Sequence, residues 1–285
     1  MQGDSPASDG RSAQRPSVAL KLRALLLATF QSLLVASVGS LVLGALLAAN
    51  AATGLSVPWS AAVIVVYLVV YWRWLGGTWP PTDTSAARRD LLRARRVPVE
   101  TMARAFVAGL IGLGALAGLW ISCVELFGGG GNPTVSSLLG YPAYVVAIAY
   151  VMGSLNAPVT EEAAFRGYAQ TRVERAFPPV VAVILSSVLF ALFHAPTQGF
   201  IAWKLLFFFL VGALFGTIAY RTKSTIPALP VHFTGDMLFF FVIWPADASR
   251  SFAPSAGADL PLVLSAVAAV VLAPLAAFAL RSLRS

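Results

Sequence analysis

Eight apolar runs separated by short polar or basic connections constrain this chain more than any other feature. They lie at 24–49, 57–75, 105–127, 141–157, 180–194, 200–220, 226–244 and 260–280. A helix rises about 1.5 Å per residue, so roughly 20 residues cover a hydrocarbon core of ~30 Å. Spanning β-strands would be half as long and would alternate in polarity. With 58% hydrophobic and only 11% charged residues in 285, a soluble one- or two-domain protein is excluded. The expected fold is an all-α polytopic transmembrane helical bundle of about eight spans.

The connections set the expected organisation. Residues 1–20 are Ser, Asp, Gly, Pro and Arg with little to bury, and are expected to form a disordered cytoplasmic tail. Residues 21–285 then form a single transmembrane domain. Ala49-Asn50-Ala51 imitates a signal-peptide cleavage site, but the preceding apolar stretch exceeds the usual ~7 to 15 residues, so a retained first span is expected. Placing the N-terminus inside puts every basic residue except Lys204 and Arg250 on the cytoplasmic side, including Arg88, Arg89, Arg93, Arg95 and Arg96 of one connection. A multi-pass protein of the cell membrane with both termini cytoplasmic is therefore expected.

This bias accounts for the net charge of +8 without a nucleic-acid partner. Membrane lipid is the expected partner, and the Arg-rich segment 88–96 could also bind lipid headgroups. The single Cys123 cannot form an intrachain disulfide. The glycine run 128–131 lacks a following Lys-Ser/Thr and reads as an outer loop rather than a phosphate cradle. Nothing in the sequence fixes the oligomeric state.

Ionisable side chains within spans cost a few kcal/mol each, so each needs a partner, a watery cavity or a function. Glu125 and Lys204 sit near expected outer span ends, where snorkelling accounts for them. The others cluster in three short patterns: Glu161-Glu162-Ala-Ala-Phe-Arg166, Phe190-Ala-Leu-Phe-His194 and His232-Phe-Thr-Gly-Asp236. Glu162 and Arg166 are four apart and share a helix face, which suits a structural ion pair. Glu161 is turned ~100° away and stays free for another task. His232 and Asp236 are also four apart, so the carboxylate could orient the imidazole, or both could converge on one ligand. Phe165, Phe190 and Phe193 read as packing.

Depth connects the patterns. The point midway between Glu161 and His194 falls on Phe177-Pro178-Pro179, a natural turn between two helices, so antiparallel helices bring the two residues to equal height. His232 follows Lys223 from the same side at a depth of ~10 Å. Pro196 to Gly199 is expected to end the His194 helix, and a re-entrant loop there would need protein or water around it.

A carboxylate and two imidazoles in a semi-dry cavity can activate water, polarise an amide carbonyl or bind a divalent metal. In this order the three patterns resemble those of the CPBP family, the CAAX prenyl endopeptidases and bacteriocin-processing or Abi-type intramembrane proteases. The resemblance covers about 141–244. It implies an intramembrane endopeptidase acting on a membrane-associated or lipidated peptide or protein. Glu161, His194, His232 and Asp236 would be catalytic, and Glu162, Arg166 and Phe190 supporting. The third pattern commonly ends in Asn; an ionised Asp236 cannot donate to an oxyanion, and orienting His232 or binding metal suits it better. The family has been described both as metalloprotease and as metal-free glutamate protease, and Glu161, His194, His232 and Asp236 would suit Zn²⁺. No HExxH is present. The same Glu and His could instead relay protons in a coupled transporter, or be kept for packing in a non-catalytic scaffold or immunity factor.

Overall fold

The structure is a computed structural model that describes residues 17–53, 58–131, 138, 140–249 and 260–283. Most of the expected N-terminal tail lies outside the described residues. Its last residues do not: α1 (Val18–Ala52) begins within it, because Ser17 accepts the Leu20 N–H at 3.3 Å and caps the helix. Then come α2 (Trp59–Leu75), the short α3 (Ser85–Leu92), α4 (Val99–Phe127) and α5 (Ala143–Glu174). The chain continues with α6 (Pro179–Gln198), α7 (Ala202–Thr222), α8 (Ala228–Asp247) and α9 (Leu260–Ser282). Seven of the described helices are long and apolar enough to cross a membrane, and α2, at 17 residues, is a shorter apolar helix. Together they agree with about eight spans, and the protein is a multi-pass helical membrane protein.

The side chains that join these helices are small where backbones approach. A Cβ on Gly39 would lie 2.3 Å from Thr160 Cγ2, so α1 is seated directly on α5. A Cβ on Gly212 would lie 2.9 Å from Ser187 Cα, so α6 and α7 meet with nothing between them. The Ser122 and Ser265 hydroxyls, 2.9 Å apart, join α4 to α9. Small residues allow such contacts between spans, where lipid offers no hydrophobic drive to associate.

Two expectations about charge are corrected. The Arg-rich connection is not only a solvated, orientation-setting loop. Arg88 is buried and donates to the carbonyls of Trp74, Trp79 and Pro81, and buried Arg93 pairs with Glu174 at 2.6 Å. The apolar face of α3, with Leu91 and Leu92, points into the protein, so this connection is folded against the end of α5. Lys204 does not snorkel either: it is only 4% exposed. Its ammonium lies 5.6 Å from the Trp120 and Trp203 ring centroids and donates to the Gly131 carbonyl at 3.5 Å. Trp120 Nε1 in turn donates to Asp247 at 2.8 Å, so this end of the bundle is closed by a buried polar cluster.

Candidate active site

Glu161 is the last residue of the regular α-helical part of α5. From Glu162 to Ala169 the helix widens into a π-helical stretch, starting four residues after Pro158, whose missing N–H thins the hydrogen-bond ladder. The turn at Phe177-Pro178-Pro179 forms as expected, with α6 starting at Pro179, and it brings α6 back antiparallel. Glu161 and His194 therefore meet at one height: Oε2 of Glu161 lies 3.8 Å from Nε2 of His194. The same oxygen lies 3.9 Å from Nε2 of His232 on α8. Both gaps are too long for a direct hydrogen bond and wide enough for one bridging water. Oε2 has no hydrogen-bond partner among the described residues.

Each imidazole is held by its other nitrogen. Nδ1 of His194 lies 2.8 Å from the Phe190 carbonyl, which can only accept, so Nδ1 carries the hydrogen and Nε2 faces Glu161. Nδ1 of His232 lies 2.9 Å from Glu162 Oε1. That carboxylate also pairs with Arg166 at 3.2 Å, as its spacing implies, and both side chains are completely enclosed. Arg166 spends a second nitrogen on the Gly212 carbonyl at 3.1 Å, and its guanidinium lies over the Phe190 ring at 4.3 Å. Phe190 thus supports both Arg166 and His194.

Asp236 lies on the cavity side of His232. Its Oδ1 lies 3.6 Å from Nε2 of His232, the nitrogen that faces Glu161, while Glu162 occupies Nδ1. The residue that orients His232 is Glu162, read from the sequence only as Arg166's partner. The reason is geometric: one helical turn on α8 carries Asp236 to the cavity side of the ring, and α5 approaches the opposite side. The α6 helix ends within the Pro196–Gly199 segment as expected: it runs through Pro196 to Gln198 and turns at Gly199 with φ 86°. His194 sits within the helix, about one turn before its end.

Two residues of the site escaped the sequence reading. Phe208 stacks on His194 at 4.3 Å, and Phe215 stacks on His232 at 4.7 Å. Both lie on α7, where the sequence drew attention only to Lys204. Their spacing of seven, two helical turns on one face, was the available signal.

Glu161, Phe190, His194, His232 and Asp236 line a cavity of about 350 Å³, together with Phe208, Phe215 and Ser40, Leu43, Gly44 and Leu47 of α1. A larger apolar cavity of about 480 Å³ adjoins it, sharing Leu47, Leu138 and Ala149, and contains none of the Glu or His side chains. Chemistry places the site in the smaller one. Among the described residues, no group of three or more His, Cys, Asp and Glu side chains is arranged to hold a metal ion. What the arrangement can do is hold a water between a carboxylate oxygen and two imidazole nitrogens, beside two ring stacks that fix the imidazole planes.

No curated protein and no solved structure matches the chain. Residues 143–238, which contain Glu161, Glu162, Arg166, Phe190, His194, His232 and Asp236, match the family model described as type II CAAX prenyl endopeptidase, Rce1-like, in keeping with the resemblance carried by the three motifs.

Proposed function

We propose that the protein is an intramembrane endopeptidase that hydrolyses a peptide bond of a membrane-associated or lipidated substrate with a water activated by Glu161. The observation that carries this reading is the unpartnered Glu161 Oε2 set 3.8 and 3.9 Å from the two imidazole Nε2 atoms in one cavity. Glu161 takes a proton from a water, and His194 Nε2 accepts that water's other hydrogen and aims its lone pair at the peptide carbonyl. His232 donates from protonated Nε2 to the oxyanion that forms, with Glu162 holding Nδ1. Asp236 holds the same Nε2 before substrate arrives and yields to the oxyanion. Glu161 then returns its proton to the departing amine. The Rce1-like match supports a protease of the CAAX type. An isoprenylated CAAX tail is one substrate class this reading allows, and an unlipidated membrane peptide is the other.

Comparison of membrane-protein fragments from cells carrying the wild-type protein or Glu161→Gln tests the proposal. Fragments that vanish in the variant, at equal protein level in the membrane, support it. Identical fragment sets would remove it, and ion flux in sealed vesicles lost in Glu161→Gln would replace it with proton-coupled transport.

A further inference from the structure

The cavity that holds Glu161 contains more unspent polar atoms than water activation needs. Asn156 Oδ1, Gln198 Oε1 and Trp244 Nε1 all have no hydrogen-bond partner among the described residues, and all three residues line this cavity. They are 3%, 7% and 6% exposed. Buried polar groups without partners are destabilising, and a membrane interior is the least forgiving place for them. They come from three helices, α5, α6 and α8, so no local helix feature accounts for them together.

Their positions are related. Asn156 precedes Glu161 by five residues on α5, and Gln198 follows His194 by four on α6. Because α5 and α6 run antiparallel, both lie on the same side of the Glu161–His194 level, displaced by ~6 to 7.5 Å at the helical rise. Trp244, eight residues beyond Asp236 on α8, lies further the same way, by ~12 Å. An extended peptide advances about 3.3 Å per residue, so these distances correspond to roughly two and roughly four residues from the bond being cut.

We propose that Asn156, Gln198 and Trp244 form a subsite that binds the backbone of an extended peptide on one side of the scissile bond. Asn156 and Gln198 accept peptide N–H groups, and Trp244 donates to a peptide carbonyl. An unfolded peptide in a membrane must have its backbone groups met by something other than water, and side-chain amides supply this without choosing among substrate side chains. The subsite therefore selects for extended conformation over sequence. A helical substrate, whose N–H and C=O groups are already paired, gains nothing from it until it unwinds.

This inference rests on the endopeptidase reading, and the experiment separates the two. The probe is the membrane peptide whose cleavage depends on Glu161 in the fragment comparison; if no such peptide exists, the endopeptidase reading falls and takes the subsite with it. With the probe in hand, Asn156→Leu, Gln198→Met and Trp244→Phe are each expected to raise KM about tenfold, the effect of one unpaired buried hydrogen bond, with kcat little changed. Binding of the intact probe to the cleavage-dead Glu161→Gln protein should weaken to the same degree when Asn156→Leu or Gln198→Met is added. Replacing the peptide amide two residues from the cut by an ester should cost the wild type about tenfold in kcat/KM and cost Gln198→Met or Asn156→Leu no more. Trp244→Phe keeps an aromatic side chain while removing the N–H donor, so it tests that donor should either amide variant fail to insert. Unchanged KM and probe binding in all variants that insert, while Glu161→Gln remains inactive, would overturn the subsite and leave the endopeptidase reading standing.

Discussion

Nδ1 of His232 lies 2.9 Å from Oε1 of Glu162, a residue 70 positions earlier in the chain. That one contact makes Glu162 the hinge between two functions: it neutralises Arg166 at 3.2 Å and it decides which nitrogen of His232 faces the cavity. The adjacent residue on the same helix, Glu161, is left with an oxygen bound to nothing among the described residues. Two neighbouring glutamates thus differ in role because successive side chains on a helix point about 100° apart.

Glu161→Gln should lower cleavage by about 10²–10⁴, the usual contribution of a positioned general base, while leaving insertion and unfolding behaviour as in the wild type. An amide of the same shape keeps the packing but cannot take the proton. Initial rates on a Glu161-dependent peptide, beside a thermal unfolding curve in detergent, provide the check.

Arg166→Met should destabilise the fold by about 3–5 kcal/mol, since it strands the enclosed Glu162 carboxylate. Glu162→Gln together with Arg166→Met should recover a good part of that loss, because the double change removes both charges. Denaturant unfolding of Arg166→Met, Glu162→Gln and the double variant in micelles measures the coupling, and simple additivity would show that the pair is not linked as described.

Phe208→Leu should reduce kcat with little change in KM. Its ring stacks on His194 at 4.3 Å, and losing such a stack removes about 0.5–1.5 kcal/mol of restraint on the imidazole plane. Leu206→Ala, at an exposed position of the same helix, is the control and should be silent. Equal effects in the two variants would mean that the stack has no part in catalysis.

Arg88→Ala should lower the melting temperature measurably, whereas Arg89→Ala should stay within about 0.5 kcal/mol of wild type. The first removes the donor to one carbonyl at the end of α2 and two of the connection after it; the second removes an exposed charge. Equal stability of both would return the whole Arg-rich segment to a purely topological role.

Much of the site was legible because its parts are local. The four-residue spacing of Glu162 and Arg166, the double proline after Phe177 and the distances from that turn to Glu161 and His194 are properties of helices, and the structure places the groups accordingly. What Asp236 does beside His232 was left open between orienting the ring and sharing a ligand with it, for a non-local reason. Spacing on α8 shows that Asp236 can reach His232, but which nitrogen it reaches depends on what α5 presents to the other side of the ring. Lys204 was misjudged similarly: a lysine near a span end snorkels unless aromatic rings from other helices enclose it, as Trp120 does here.

The sequence by itself determined that the chain crosses a membrane as about eight helices, because apolar run length against bilayer thickness leaves no other solution, and it singled out the charged residues that lipid would not tolerate alone. Only the tertiary structure decided how those residues share their contacts. A hydrogen bond takes one donor and one acceptor at one angle, so the division of labour among Glu161, Glu162 and Asp236 around His232 is set by helices packed from distant parts of the chain, and no pattern along a single helix contains it.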